Sequence, residues 1–124
     1  LTKQYYAVYS ISCKEAYGMD MQLKRGFLDV LVLSTLLKKN SYGYQIIKDL
    51  APVTEISEST LYPILKRLEA SNFLTVYAAE HNGRLRKYYT ITERGKRRID
   101  DFLLEWQDVI RICDFISRER RRTP

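Results

Sequence analysis

Residues Ser59 to Leu74 read Ser-Thr-Leu-Tyr-Pro-Ile-Leu-Lys-Arg-Leu-Glu-Ala-Ser-Asn-Phe-Leu. Leu61, Ile64, Leu65 and Leu68 recur at i, i+3, i+4 and i+7, which lays four apolar side chains along one helical stripe. The opposite side carries Ser59, Pro63, Lys66, Arg67 and Ala70, with Tyr62 towards its flank and no carboxylate before Glu69. Pro63 limits where the helix begins, because proline is best tolerated in a first turn, where its missing N–H is not needed. Ser57 and Ser59 are both candidate N-caps, and Ser59 fits the proline better. Ser71-Asn72 breaks the pattern and Phe73 opens a β-prone run. A short helix anchored by one stripe and basic on the other suits a helix whose outer face meets phosphates and base edges. An ordinary amphipathic helix with a solvated face shows the same pattern. The flanking segments have to decide between the two.

Upstream, Leu23 to Leu37 predicts a helix in which Phe27, Leu28, Val30, Leu31, Val32, Leu33, Leu36 and Leu37 are apolar almost all round. Such a helix is buried, here between its own domain and a second subunit. Lys38-Lys39-Asn40 ends it, Ser41 can cap the next helix, and Ile46, Ile47 and Leu50 form a short stripe before Pro52. Residues 51–58 then make a link slightly longer than a tight helix-turn-helix turn.

Downstream, Asn82-Gly83 favours a two-residue type I′ turn. That turn pairs His81 with Arg84, Tyr77 with Tyr88, Val76 with Tyr89 and Leu74 with Ile91. It leaves one apolar face of Leu74, Val76, Tyr89 and Ile91 and a tip bearing His81, Arg84, Arg86 and Lys87. Turn and face agree on one register. Thr92 caps a long final helix in which Ile99, Phe102, Leu103, Trp106, Val109 or Ile110, Cys113 and Ile116 repeat at three and four. This stripe is too long for a small domain to bury alone, so a partner helix is implied. Arg118 to Arg122, four arginines around Glu119, reads as a frayed basic tail.

The 124 residues form one domain, with 21 Lys and Arg against 15 Asp and Glu and a net charge of +6. A homodimer would double that charge, favouring polyanions. No apolar run reaches the roughly 18 residues of a membrane span. Cys13 and Cys113 lie far apart, without a Cys-x-x-Cys, so neither a disulfide framework nor a metal site is predicted. The start shows no secretory pattern, and a reducing, cytoplasmic setting is expected. Residues 1–18 hold four of the ten tyrosines and no helical period. Lys14-Glu15-Ala16 can be encoded by a purine-rich run like a bacterial ribosome-binding site shortly before Met19, which makes Met19 or Met21 the expected start. An arm that pairs with a sheet edge or grips DNA is the alternative.

The order of elements predicts a mainly α fold with a small β-hairpin (α+β), a winged helix-turn-helix with a C-terminal dimerisation helix. The expected division is an extension at 1–18, the winged helix at 19–92, the dimerisation helix at 93–118 and the tail at 119–124. Gly43-Tyr44-Gln45-Ile46, Thr60-Leu61-Tyr62-Pro63, Arg67-Leu68-Glu69, Gly83-Arg84-x-Arg86-Lys87-Tyr88-Tyr89, Ile91-Thr92-x-x-Gly95 and Glu105-Trp106 resemble, in order and spacing, the PadR family of transcriptional regulators. The resemblance covers roughly residues 23–106. It implies a bacterial or phage repressor that binds a palindromic operator as a dimer. A single helix after the wing resembles the short subfamily, which includes multidrug sensors. Ser59 stands where many members have glycine, and residues 1–18 have no counterpart.

Beneath the resemblance, Lys66, Arg67, Arg84, Arg86 and Lys87 can neutralise phosphates and release counterions. Ser41, Tyr42, Ser59 and Thr60 can donate to phosphates and fix register. Ser59, Thr60, Tyr62, Pro63 and Lys66 are candidates for base edges and thymine methyls. Tyr89 is assigned to packing within the wing, Tyr62 to DNA before packing, and His81 to solvent. Trp106, on the last helix's stripe, approaches the two-fold axis of a symmetric dimer, where facing indoles could sandwich a planar aromatic effector. Phe102, Val109 and Ile110 would complete the walls. An interface tryptophan that only fills space is the alternative. Leu103, Trp106, Ile110, Cys113 and Ile116 are the expected dimerisation residues. The expected partners are therefore double-stranded DNA, a second copy of the chain and a small aromatic effector, with no membrane and no cofactor.

An enzyme is disfavoured by one histidine, two isolated cysteines and no nucleophile or phosphate-loop motif. A winged helix used only for protein contacts is the main rival. Five cations on two elements flanking one groove argue against it. RNA binding lacks a stacking platform for single strands.

Overall fold

The computed structural model describes residues 21–124, with the order α1 (Met21–Ser34), α2 (Gly43–Leu50), α3 (Glu58–Ala70), β1 (Leu74–His81), β2 (Arg84–Ile91) and α4 (Glu93–Arg122). The extension at 1–18, and with it the expectations about the start and the arm, lies outside the described residues. The other elements follow the expected winged helix-turn-helix order.

The stripe of α3 is the centre of the core. Leu61, Ile64, Leu65 and Leu68 are all buried, against Leu28, Val32, Leu33 and Leu36 from α1 and its end, Ile46 and Leu50 from α2, and Leu74 and Tyr89 from the wing. Burying each such side chain stabilises the fold by about 1.5–3 kcal/mol.

The cap of α3 differs from expectation. Ser57, not Ser59, is the N-cap, its Oγ accepting from the N–H of Thr60, so Pro63 sits inside the helix rather than in its first turn. The proline's missing N–H would have served the carbonyl of Ser59, which is exposed, so water can take its place. At the other end Asn72 adopts φ 63°. Phe73 N–H donates to Leu68 O and Asn72 N–H to Glu69 O, each at 2.9 Å, which closes the helix with a left-handed cap.

The wing has the expected register throughout, from Leu74 opposite Ile91 to His81 opposite Arg84. Asn82 and Gly83 both have positive φ, as a type I′ turn requires. Leu74 and Tyr89 are buried and Val76 and Ile91 half-buried, so the face is as read.

Three boundaries shift. The first helix stops at Ser34 rather than Leu37. Ser34 Oγ donates to Val30 O at 2.7 Å and Thr35 Oγ1 to Val32 O at 2.6 Å, and these hydroxyls compete with continuation of the helical ladder. Ser41 does not cap α2; Tyr42 is the N-cap and makes no side-chain cap bond. Ser41 instead pairs with Tyr89, donating to its carbonyl at 3.2 Å and accepting from its N–H at 2.7 Å. The last helix runs on to Arg122 through the expected frayed tail. Cations suit the negative end of a helix dipole, and Arg121 Nε also reaches Ser117 O at 3.4 Å.

Thr92 caps α4 as expected, accepting from Gly95 N–H at 3.0 Å and donating to Asn72 O at 2.7 Å. At Gly95 the helix passes so close to the connection between α3 and β1 that a Cβ would collide with the Phe73 carbonyl oxygen and lie 2.7 Å from Ile91 Cγ1. Gly95→Ala is expected to destabilise the fold by about 1–3 kcal/mol despite alanine's better helix propensity, read as a lowered denaturation midpoint with an unchanged m-value.

Candidate nucleic-acid interface

Ser59, Pro63, Lys66 and Ala70 run down the exposed centre of α3. At 100° per residue, Tyr62 and Glu69 fall on the flank towards the wing, and Thr60 and Arg67 on the flank towards α1. On the wing side a cleft of about 580 Å³ is lined by Tyr42, Tyr62, Arg84, Arg86, Lys87 and Tyr89, among others. The cleft gathers three of the five candidate cations, Arg84, Arg86 and Lys87, and a smaller pocket of about 170 Å³ that shares Tyr62, Lys87 and Tyr89 with it is lined by the fourth, Lys66.

Aromatic rings set the position of one of these cations. The guanidinium carbon of Arg86 lies 3.9 Å from the centroid of the Tyr42 ring. Tyr42 meets Tyr88 edge-on at 5.7 Å, Tyr88 stacks on Tyr77 at 5.5 Å, and the Tyr77 hydroxyl accepts from Asn40 Nδ2 at 3.1 Å. The line of rings runs from the loop before α2 across the wing. It holds the guanidinium in place and so reduces the entropy that Arg86 loses on meeting an anion. Arg86 Nη1 is buried with no hydrogen-bond partner among the described residues. An unpaired buried donor is costly, and an acceptor entering the cleft relieves that cost.

Tyr62 is 45% exposed, and its hydroxyl overhangs Gly43, where a Cβ would lie 2.8 Å away. Glycine at 43 therefore lets the ring settle over the start of α2 with its other edge open. Tyr89 is buried, and its phenol is held above its ordinary value of 10.0, chiefly by burial and then by Tyr62 and Glu69. His81 is exposed at the tip.

Two candidates stand differently from their expected places. Ser41 is only 3% exposed, and its Oγ has no partner among the described residues. It cannot reach a phosphate, because β2 needs its backbone to complete the pairing of Tyr89. Arg67 is exposed but turned to α1, where its Nη2 donates to Asp29 Oδ1 at 2.5 Å. Asp29 was missed as a site residue, although it is the one carboxylate within the apolar run from Phe27 to Leu37.

On α4, Trp106 packs within its own chain, 4.7 Å from the Phe27 ring, with Phe102 5.2 Å from Phe27 and 5.9 Å from Trp106 between ring centroids. Ile110 and Cys113 are half-buried on the same side. Leu103, Val109 and Ile116 are exposed, together with Leu104, Ile112 and Phe115, which the three-and-four spacing did not single out. Among the described residues no cluster of His, Cys, Asp and Glu could hold a metal, and no helix is long and apolar enough to cross a membrane.

A helix-turn-helix whose exposed second helix lies beside a basic hairpin defines a winged-helix, DNA-binding transcriptional regulator. Residues 32–101 match the Transcriptional regulator PadR-like family, and the chain belongs to that family. Protein X of Lysinibacillus sphaericus is 37% identical over 95 residues, covering 73% of this chain and 87% of that protein. A solved PadR family transcription regulator from Clostridium difficile is 33% identical with a TM-score of 0.67, covering 73% of this chain and 98% of the other. The negative transcriptional regulator PadR of Bacillus subtilis is 30% identical over 87 residues, 66% of this chain and 48% of its own length. Its structure in complex with operator DNA superposes with a TM-score of 0.57 at 28% identity, over 61% of this chain and 46% of that one. The chain thus spans about half of that larger regulator.

The Tyr89 shift predicts an alkaline effect. The folded state keeps the phenol proton after the unfolded chain has released it, so this contribution is full below about pH 10 and is lost as pH rises towards the folded-state value. Tyr89→Phe is expected to flatten the fall in denaturation midpoint above pH 10 while leaving the neutral-pH slope with pH unchanged.

Proposed function

We propose that the chain is a repressor that binds a palindromic operator as a homodimer, with α3 in the major groove and the wing on the adjoining backbone. The observation that carries this reading is the exposed Ser59–Pro63–Lys66 face of α3 beside a cleft in which Arg86 is stacked on Tyr42 with a buried, unpaired donor. Ser59, Thr60, Tyr62 and Pro63 read base edges and methyl groups, Lys66 reaches base or phosphate, and Arg84, Arg86, Lys87 and Tyr42 hold the backbone. The operator complex and the name of the Bacillus subtilis relative support both the ligand and the sign of regulation. The protein acts where operator DNA is, in the cytoplasm, and none of its assigned roles is catalytic.

Dimerisation uses the exposed apolar side chains of α4, Leu103 and Ile116 with Ile112 and Phe115, and brings Ile110 and Cys113 to the rim. Surfaces of this kind are rarely left open in a monomer. The effector reading rests on the Phe27, Phe102 and Trp106 cluster. A planar aromatic compound would lie between Trp106 and its counterpart in the second copy, bounded by Val109 and Ile110.

Gel shifts at two salt concentrations against DNA upstream of its own coding sequence test the first reading. Lys66→Ala is expected to weaken operator binding by about tenfold, and Arg84→Ala or Arg86→Ala to reduce the salt slope by about one unit each. Equal affinity for operator and scrambled duplex at physiological salt would overturn the repressor and favour a protein-contact module. In the parent, planar aromatics are expected to quench the sole tryptophan, and Trp106→Ala is expected to abolish their effect on DNA release while the sedimentation-measured dimer persists. Loss of the dimer in that variant would make Trp106 an interface anchor instead.

A further inference from the structure

The second concave face of α3 shares Ser59, Thr60 and Pro63 with the base-reading role proposed above, while its two arginines, Arg25 and Arg67, have no role in that reading. On the side away from the wing, a cleft of about 340 Å³ is lined by Arg25 and Leu28 from α1 and by Ser59, Thr60, Pro63, Ile64 and Arg67 from α3. Its floor is apolar, formed by Leu28 and Ile64, both buried. Its rim is polar: Arg25, Ser59, Thr60 and Arg67 are all exposed. Arg67 is fixed in position by Asp29, whose side chain is 20% exposed, so one edge of the guanidinium is committed to α1 and the rest faces outward. The hydroxyls of Ser57, Ser59 and Thr60 form a connected group at the same end of α3, with Ser57 Oγ 2.9 Å from Ser59 Oγ and 3.1 Å from Thr60 Oγ1.

We infer that Arg25 and Arg67 form a second phosphate-binding rim that grips the DNA strand opposite the one held by the wing. The inference rests on the proposed seating of α3 in the major groove. A major groove is bordered by two phosphate ridges, one from each strand, and a helix lying in it has both ridges within reach of its flanks. The wing supplies cations on one flank only. Among the described residues, the α1 flank offers guanidinium groups and hydroxyls to the other ridge, and the charge matches. Asp29 offsets Arg67 in part, which leaves Arg25 the larger share of the attraction and gives Arg67 a positional role, setting the height of α3 in the groove through its tie to α1. A pair of bracketing contacts fixes the register of α3 on the duplex, which a single-sided wing contact leaves free to roll.

The test uses the full chain and an operator duplex. Arg25 is exposed, so Arg25→Ala leaves the core intact, and circular dichroism and the denaturation midpoint verify this. The expected result is a salt slope reduced by about 0.9, the value for one phosphate, so that the advantage of the parent over the variant shrinks about 3.5-fold between 50 and 200 mM salt. Arg25→Lys is expected to restore most of the slope. Methylphosphonate groups placed singly along each strand then locate the contact. One neutral linkage on the strand opposite the wing's contacts should weaken the parent and leave Arg25→Ala indifferent. An unchanged slope in Arg25→Ala, with Arg84→Ala still reducing it, would overturn the second rim and leave the repressor reading standing. Indifference mapped to the same strand as Arg84 would also overturn it. Binding of inorganic phosphate by the parent with no effect of Arg25→Ala on operator affinity would make this a small-anion site and reject the rim. Loss of operator discrimination by the parent itself is the separate failure of the repressor reading.

Discussion

The structure depends on the burial of four side chains, Leu61, Ile64, Leu65 and Leu68, each no more than 5% exposed. A recognition helix has to leave one whole face bare for its ligand, so its hold on the domain comes from the remaining stripe alone. Truncating any one of these residues would cost about 2–5 kcal/mol, a large part of what a small domain has to spare. The stripe also sets the rotation of the helix. With Leu61 and Leu68 inward, Ser59, Pro63 and Lys66 are forced outward, Tyr62 turns to the wing and Arg67 turns to α1. The chemistry of each flank is thus a consequence of hydrophobic phase, and the polar contacts trim an orientation that packing has already chosen.

The hairpin was readable residue by residue because two independent constraints coincided. Asn82-Gly83 demands a two-residue turn, and only one register then puts Leu74, Val76, Tyr89 and Ile91 on a common face. The helix ends were less readable. Ser57 and Ser59 are both good caps, and the choice between them turned on tolerance of Pro63 in a second turn, which depends on whether the Ser59 carbonyl is wet. Ser41 looks like a cap in one dimension. In three it is the backbone partner of Tyr89, 48 residues on, a pairing that no local pattern announces. Ser34 and Thr35 ended α1 early through hydroxyl bonds to their own helix, a competition the apolar run concealed.

The candidate site was legible in its composition and less so in its partners. Basic side chains on a hairpin tip and on the polar face of a helix reach solvent in almost any fold, so Lys66, Arg84, Arg86 and Lys87 could be named from spacing alone. What each touches inside the molecule could not. The stack of Arg86 on Tyr42, with Tyr88 edge-on to Tyr42 and stacked on Tyr77, joins the loop before α2 to both strands of the wing. The Asp29–Arg67 pair joins residues 38 apart in sequence. Charge patterning marks which residues can meet an anion, and tertiary contact decides which of them are already positioned for it.

Phe27 and Asp29 give α1 two roles within a span of about 3 Å along its axis. Phe27 carries the contact with Phe102 and Trp106 of α4, and Asp29 carries the contact with Arg67 of α3. A helix buried as deeply as α1, with Val32 and Leu33 at 0% exposure, moves as a rigid piece because its packing leaves no room for a local bend. Anything that re-seats Phe27 against α4 therefore moves Asp29, and through it the flank of the recognition helix. Two recognition helices reading half-sites one duplex turn apart, about 34 Å, tolerate little change in their relative placement. A ligand bound beside Trp106 can influence DNA only if it prefers one placement of α1 over another, and DNA must then alter that ligand's affinity by the same factor. The contacts of Phe27 with Phe102 and Trp106 and the pairing of Asp29 with Arg67 are the physical route by which such a preference would be transmitted.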